Sequence, residues 1–465
     1  MIIKVNKKKN KRLSVKYVKD FFSNKNLYKS YLFVEKKFSL TQGNLNIIPK
    51  KSSIEISKKC NIKYINIKSL ERDIKKTNAP IVSLVNLLTK ICSKETQKYI
   101  HYGATTHNII QTGLTLVLRD SHIQSMYRLS ECLTTLSVLS KRFSNLTMIA
   151  RTNGQHAMPI TFGFKISEWS EIILRFEQRF HEIEKRLFIL IFGGAVGAMH
   201  SFRDKKQILY KNLCKQLNLN QVDVSSRAII DNMAEYVLLC SHLGSALENI
   251  GKELSFYMRE EIQEVSENLN KGVVGSSSMP QKINPKYVYN FIAKSKEMKN
   301  YVMNGLTMMD IQNEGDLGTQ YFQIKTIKEI SPKLCVLLEE FNELLKILNV
   351  NSKNMEKNLE ITNGLIHSEN ISMSIAPMIG KQNAYKIIKN IINKVRAKNK
   401  DFEELVYKDK NLKKILSKKE IKNLLNSKLN IGNSYEIANK VSKKTKIRAS
   451  KLYSRIKKIN QILTS

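Results

Sequence analysis

Apolar residues recur every three or four positions through the middle of the chain. Met233, Val237, Cys240, Leu243, Leu247, Ile250, Leu254 and Met258 keep that spacing throughout, which puts them on one stripe of a long helix. A second stripe runs through Leu334, Leu337, Leu338, Phe341, Leu344, Leu345 and Leu348, and Pro332 just before it should kink or begin that helix. Further helices are predicted over Gln111–Phe143, Gly163–Leu190 and Pro285–Asp310. Helices this long and this close together imply an elongated bundle, and the stripes read as core or subunit interface with no catalytic role. Residues 1–110 are mixed, with short apolar segments broken by polar clusters; after Asn351 the helices shorten, with breaks at Gly364, Pro377, Gly380 and Gly432. The expected organisation is an all-α chain in three parts: a mixed, mainly helical domain over 1–110, a central helical bundle over 111–352, and a small helical domain over 353–465.

Composition agrees. A chain of 465 residues with 42% hydrophobic content and seven prolines fits two or three largely helical domains. No uninterrupted apolar run is long enough to cross a membrane; the longest candidate, Leu187–Met199, contains Gly193, Gly194 and Gly197. The basic segment Met1–Arg12 lacks the apolar core of a secretory signal. Six cysteines without a CxxC spacing read as reduced thiols in a cytoplasmic protein, with no metal site implied. The net charge of +38, from 78 basic and 40 acidic residues, raises nucleic-acid binding as a class. The lysines are spread over the whole chain, however, and no run is interleaved with aromatics as a stacking platform requires. A compositional bias explains the charge better, and a diffuse positive field still attracts an anionic substrate.

Residues 275–285, Gly-Ser-Ser-Ser-Met-Pro-Gln-Lys-Ile-Asn-Pro, are the segment richest in chemistry. The Gly-Ser-Ser-Ser run offers backbone N–H groups and hydroxyls that can wrap an anion. Lys282 adds a point charge, the Asn284 amide both donates and accepts, and Pro280 and Pro285 restrict the backbone. A second segment, His101-Tyr-Gly-Ala-Thr-Thr-His-Asn-Ile-Ile-Gln-Thr-Gly113, has His101, His107, Thr105 and Thr106 at a helix entry, where hydroxyls, free N–H groups and the helix dipole favour a carboxylate.

The ordered set Gly275, Ser276, Ser277, Met279, Pro280, Lys282, Asn284 and Pro285 resembles the signature loop of the fumarase/aspartase superfamily. Residues 101–106 are similar to the His-Tyr-Gly-Ala-Thr-Ser loop of its adenylosuccinate lyase and 3-carboxy-cis,cis-muconate cycloisomerase branch, with Asn108 and Gln111 where that branch often has Asp. Arg151-Thr-Asn-Gly-Gln-His-Ala-Met-Pro-Ile-Thr-Phe-Gly163 resembles the branch's Arg-Thr-His-Gly-x-His-Ala segment. Asn153 stands where adenylosuccinate lyases have the histidine expected to be the general acid, and an asparagine cannot give up a proton at neutral pH. Ile229-Ile230 replaces a Gln-Arg pair that touches substrate phosphate in those enzymes, and Arg227 is a partial substitute. Asn313-Glu-Gly-Asp316 resembles a His-Glu-Arg-Asp segment with Glu314 retained, and Gly364-Leu-Ile-His-Ser-Glu369 extends the resemblance toward the C-terminus.

The resemblance implies a three-domain fumarase/aspartase-type fold and a homotetramer whose active sites combine three subunits. It implies a lyase that eliminates a group from a substituted succinate, with fumarate or a relative released. Muconate-type cycloisomerisation and adenylosuccinate cleavage are alternatives, and a basic scaffold or nucleic-acid binder that kept the fold is the non-enzymatic one. Ser276 matches the catalytic base; His156 and His101 are candidates for the acid. Substrate contacts are implied for Thr105, Thr106, Arg151, Thr152, Asn153, Gln155, Ser277, Met279, Lys282, Asn284 and Glu314. A small anionic di- or tricarboxylate is the expected partner, and the chemistry calls for no metal or organic cofactor.

Overall fold

The computed structural model describes residues 15–268, 272, 275–398 and 400–464. Its centre is the helix Thr106–Arg142, buried without interruption from His107 to Met126. Full burial explains why its sequence shows no single apolar stripe: every face is covered. Some polar groups there bond to neighbouring helices and loops. Ser331 Oγ donates to Ser121 Oγ at 2.8 Å, and Arg119 Nη1 donates to the carbonyls of Leu217 and Asn218 at 2.9 and 2.8 Å.

The neighbours of this rod run in defined directions. The helix Phe162–Leu187 doubles back beside it, with the Gly163 N–H donating to the Phe143 carbonyl at 2.9 Å where the chain reverses. The helix Leu317–Ile347 lies parallel to it, as the pairs Ser121 with Ser331, Arg128 with Glu339 and Thr135 with Asn342 show. That helix starts well before Pro332, where the Asp316 carboxylate accepts the Thr319 N–H at 2.7 Å as an N-cap. Pro332 therefore sits inside the helix and does not begin it. Asp231–Tyr257 carries the first predicted stripe, all of whose members from Met233 to Leu254 are buried. The expected helix over 285–310 is two helices, Lys286–Lys299 and Tyr301–Thr307.

The described residues are all-α apart from two small antiparallel sheets that the helical periodicity gave no hint of and one isolated bridge between Ile189 and Asn220. Strands β1, Thr147–Thr152, and β2, Gln155–Thr161, form a hairpin. Strands β3, Val265–Glu267, and β4, Leu348–Val350, form a second pair. After β4, Ile371, Ile388, Phe402, Leu412 and Ile421 belong to a core separate from that of the bundle. The last helix, Ser434–Thr464, returns to the bundle. There Ser442 Oγ donates to the Ser137 carbonyl at 2.7 Å, and Arg448 Nε donates to Glu177 at 3.1 Å. All six cysteines are buried, and none is in a disulfide. No helix among the described residues is long and apolar enough to cross a membrane.

Candidate functional site

Asn153 and Gly154 are the two residues of a hairpin turn between Thr152 and Gln155, which pair directly. Both have positive φ, 53° and 76°, as a type I′ turn requires, and Asn-Gly is the sequence that turn favours most. The Asn-Gly pair is the signal in the sequence, set between two strands too short to show a periodicity of their own. Asn153 sits exposed at the hairpin tip, and its tolerance of left-handed backbone suits it to that turn.

The hairpin places Arg151 opposite His156 across the ladder. The Arg151 guanidinium is held by a buried carboxylate, with Nη1 3.0 Å from Glu264 Oε2 and Nη2 2.6 Å from Glu264 Oε1. Such a bidentate pair fixes orientation as well as charge. Phe256 and Tyr257 lie under the same guanidinium, their ring centroids 5.5 and 5.9 Å away. His156 has its Nδ1 buried without a partner. Burial first and the Arg151 charge second push its pKa down, against a smaller opposing pull from Glu264. Thr152 and Gln155 flank the tip and are exposed.

The 275–285 segment is a closed loop at the same end of the molecule. Asn284 Nδ2 donates to the Gly275 carbonyl at 3.1 Å, joining the two ends. Position 275 has no room for a side chain: a Cβ there would lie 2.6 Å from the Lys282 carbonyl oxygen. The loop is anchored from below by Glu267, whose carboxylate accepts the Tyr287 and Val288 N–H groups at 3.2 and 2.7 Å at the start of the 286–299 helix. Inside the loop, Ser276 Oγ accepts the Met279 N–H at 3.2 Å. Ser277, Met279 and Lys282 are exposed, and Lys282 makes no ion pair among the described residues.

The third segment lies elsewhere. Thr105 precedes the 106–142 helix, and Asn108 Oδ1 accepts from both the N–H and the hydroxyl of Thr105, at 3.1 and 3.0 Å. An amide oxygen thus does the accepting here without a carboxylate's charge. His101, at a φ of 58°, has its Nδ1 2.5 Å from Oε1 of the buried Glu35. Burial lowers the His101 pKa, but the charge and hydrogen bond of Glu35 outweigh it, and the net shift is upward. Glu35 was missed by sequence reasoning; it lies 66 residues away in a part of the chain with no recognisable motif. His107 is buried, and burial followed by the Arg227 charge brings its pKa to about 4, against a smaller upward pull from the Gln320 side chain. Glu314 is exposed in the turn before the 317–347 helix. In that turn a Cβ on Gly315 would lie 2.4 Å from Arg227 Nε, so the Arg227 side chain occupies the space that a side chain at 315 would fill.

These segments do not meet within one chain. The 106–142 helix has 37 residues and so spans about 55 Å at 1.5 Å per residue. His101, Thr105 and Thr106 lie before its first turn or in it. The hairpin follows its last turn, and Glu264 and Glu267 tie the hairpin and the 275–285 loop to that same far end.

Comparison with known proteins places this geometry among relatives. A family model described as Lyase matches residues 6–298, and one described as Adenylosuccinate lyase C-terminus matches residues 364–441. The adenylosuccinate lyase of Methanocaldococcus jannaschii is 29% identical over 428 residues, covering 90% of this chain and 92% of that protein. The N-acetyl-S-(2-succino)cysteine lyase of Dickeya dadantii is 28% identical over 373 residues, covering 80% and 82%. Among solved structures, the 3-carboxy-cis,cis-muconate lactonizing enzyme of Pseudomonas putida superposes with a TM-score of 0.84 at 23% identity, over 94% of this chain and 98% of that one. That last likeness speaks for the fold alone.

Proposed function

The chain belongs to the lyase family, in the adenylosuccinate lyase and cycloisomerase branch of the fumarase/aspartase superfamily, and from that premise we propose that it catalyses β-elimination from a substituted succinate, releasing fumarate or a fumarate-like product. Enzymatic membership leaves the scaffold reading without support. The observation that carries the proposal is the closed 275–285 loop, whose ends Asn284 joins through Gly275 and in which the Met279 N–H donates to Ser276 Oγ.

A proton beside a carboxylate is hard to remove because the product is a dianion, so the site must stabilise developing negative charge. Lys282, the Asn284 amide and the loop N–H groups supply that stabilisation. Ser276 takes the proton as an alkoxide, a form that needs a cationic, water-excluding site and hence closure around the substrate. The second carboxylate is held by Thr105, Thr106 and Gln155, with Ser277 and Met279 lining the loop side. Thr152, Asn153 and Glu314 line the remainder, and Arg151, committed to Glu264, positions the hairpin. The C–X electrons leave with the departing group, which takes a proton from a histidine. His101 suits that step better than His156: Glu35 favours its protonated form, whereas burial and Arg151 disfavour protonation of His156.

Because the segments lie at opposite ends of a rod of about 55 Å, the complete site is proposed to form between subunits of a homotetramer. Val302, Met303, Leu306 and Met309 at and beside the 301–307 helix are exposed, an apolar surface of the kind subunits cover. The three-part division of the chain and a cytoplasmic location accompany this reading.

Asn153 favours a second, narrower reading. A leaving group that departs as a stable anion needs less help from an acid, and a thiol with a pKa of about 8.5 leaves more readily than an amine. A thioether of succinate therefore ranks above adenylosuccinate. The test is fumarate formation, followed by its ultraviolet absorbance, from a panel of N-, S- and C-substituted succinates. Turnover of the thioether with none of adenylosuccinate is the expected result, and no fumarate from any member would overturn the proposal.

A further inference from the structure

Asn351, Asn354 and Asn358 recur at spacings of three and four at the start of the helix Ser352–Glu360 and along it, which puts them on one face. That face meets three consecutive residues of another segment. Asn358 Nδ2 donates to the Ile262 carbonyl at 2.9 Å, and Asn354 Nδ2 donates to the Gln263 carbonyl at 3.1 Å. The Asn351 N–H donates to the Glu264 carbonyl at 2.9 Å. Gln263, in the middle, has a φ of 45°, a left-handed backbone that a residue of its kind adopts only where its surroundings hold it.

Asn358 does more than grip the backbone. Its Nδ2 also donates to Glu264 Oε1 at 2.9 Å, the oxygen that accepts from Arg151 Nη2. Both partners of Nδ2 are acceptors, so only the nitrogen of the amide fits there. Asn358 and Glu264 are both buried, and a buried carboxylate depends on such donors to remain charged and in place. Leu359 and Ile366 pack against Ile149 of β1, so the same part of the chain also supports the hairpin from its apolar side.

The gripped segment joins two parts of the site. Glu264 holds Arg151 of the hairpin. Three residues on, Glu267 accepts the Tyr287 and Val288 N–H groups beneath the 275–285 loop. Between these two carboxylates runs β3, which β4 covers with Val350 opposite Val265 and Leu348 opposite Glu267. Residues 348–358 therefore hold the strip 262–267 along its length, and the strip sets where the hairpin stands relative to the loop.

We propose that Asn358 is a positioning residue for the site: through Glu264 it fixes Arg151, and with it the hairpin that carries Gln155 and His156, against the loop that carries Ser276. The inference rests on the elimination reading above. Alanine at 358 leaves Glu264 Oε1 short of a donor and lets the hairpin drift, and a misplacement of about 1 Å costs on the order of 10²-fold in rate. Aspartate at 358 behaves differently at the two ends of the pH range. Protonated, its O–H donates to Glu264 as the amide does. Ionised, it faces a like charge, which raises the pKa of the pair. The aspartate variant therefore holds the hairpin at low pH and releases it as the pH rises through that raised value.

The experiment has two arms. The first measures kcat against pH for the succinate derivative that the unaltered chain turns over best, well below each variant's melting temperature so that only folded protein is read. Asn358→Ala should lower kcat about 10- to 100-fold at every pH. Asn358→Asp should stay near the unaltered chain at acid pH and fall to the alanine level at alkaline pH. The second arm needs no turnover: urea unfolding of the unaltered chain, Asn358→Ala, Arg151→Ala and the double variant. Asn358 and Arg151 both bond to Glu264, and no hydrogen bond among the described residues joins them directly. Their effects on the unfolding constant should depart from additivity by more than about threefold. An unchanged kcat in Asn358→Ala, a ratio of Asn358→Asp to the unaltered chain that does not vary with pH, or additive unfolding losses would overturn the proposal. Absence of any turnover in the unaltered chain would count against the elimination reading alone, and the unfolding arm would still decide the role of Asn358.

Discussion

The hairpin and the 275–285 loop stand at the same end of the molecule and are held in opposite ways. The hairpin is braced along its length: a β-ladder, a two-residue turn, a bidentate Arg151–Glu264 pair and two aromatic rings fix it. The loop is fixed where it begins and ends, by Asn284 on Gly275 and by Glu267 below, while Ser277, Met279 and Lys282 face outward. A braced element suits the part of a site that must present fixed groups. An element clamped only at its base suits the part that has to close over a substrate before its serine can act as a base.

The sharpest way to break that contrast is to remove chemistry from the loop and support from the hairpin. Ser276→Ala should lower kcat by roughly 10²–10⁴-fold, the range for a lost acid–base group, with an unchanged melting temperature; retained turnover would remove Ser276 from the mechanism. Glu264→Ala does the reverse. It strands a mostly buried guanidinium and should cost about 3–5 kcal/mol in urea unfolding, and a loss below about 1 kcal/mol would show that the brace is not a brace.

A smaller effect decides which end of the molecule supplies the proton. With His101 as the acid, kcat/KM falls as the pH rises through its upward-shifted pKa. Glu35→Gln removes the charge that raises that pKa, so this alkaline limb should move to lower pH. A limb that stays in place would return the role to the hairpin's His156. The smallest effect is at the tip: Asn153→Ala should cost about 1 kcal/mol, because alanine tolerates positive φ poorly, whereas Asn153→Gly should be near neutral. Equal losses in the two would mean that the asparagine amide itself matters.

What was legible in the sequence follows from how local each signal is. Helices announced themselves through spacing, and the long stripe lies from Met233 to Leu254 within the helix the structure shows, with Met258 at its C-cap. The 275–285 loop was legible because its glycine, serines, lysine and asparagine are contiguous, and the close contact at Gly275 shows why that position is a glycine. The hairpin was missed despite its Asn-Gly, since two short strands between long helices leave little periodicity. The Glu35–His101 and Arg151–Glu264 pairs were out of reach, because their members are 66 and 113 residues apart and only folding brings them together. Of the two roles expected for Pro332, beginning the helix is excluded, because the cap at Asp316 sets the start and the proline sits inside the helix.

The length of the 106–142 helix also bears on how defects combine. A chain lacking Ser276 is damaged at one end of the rod, and a chain lacking His101 at the other. Under the proposed assembly with shared sites, mixing two such inactive variants should leave some sites furnished entirely from undamaged ends, and a hybrid should regain a fraction of the activity that neither parent has. Two defects at the same end, such as Ser276 and Lys282 within one loop, offer no such rescue. Which pairs of inactive variants complement each other should therefore depend on which end of one helix each defect occupies.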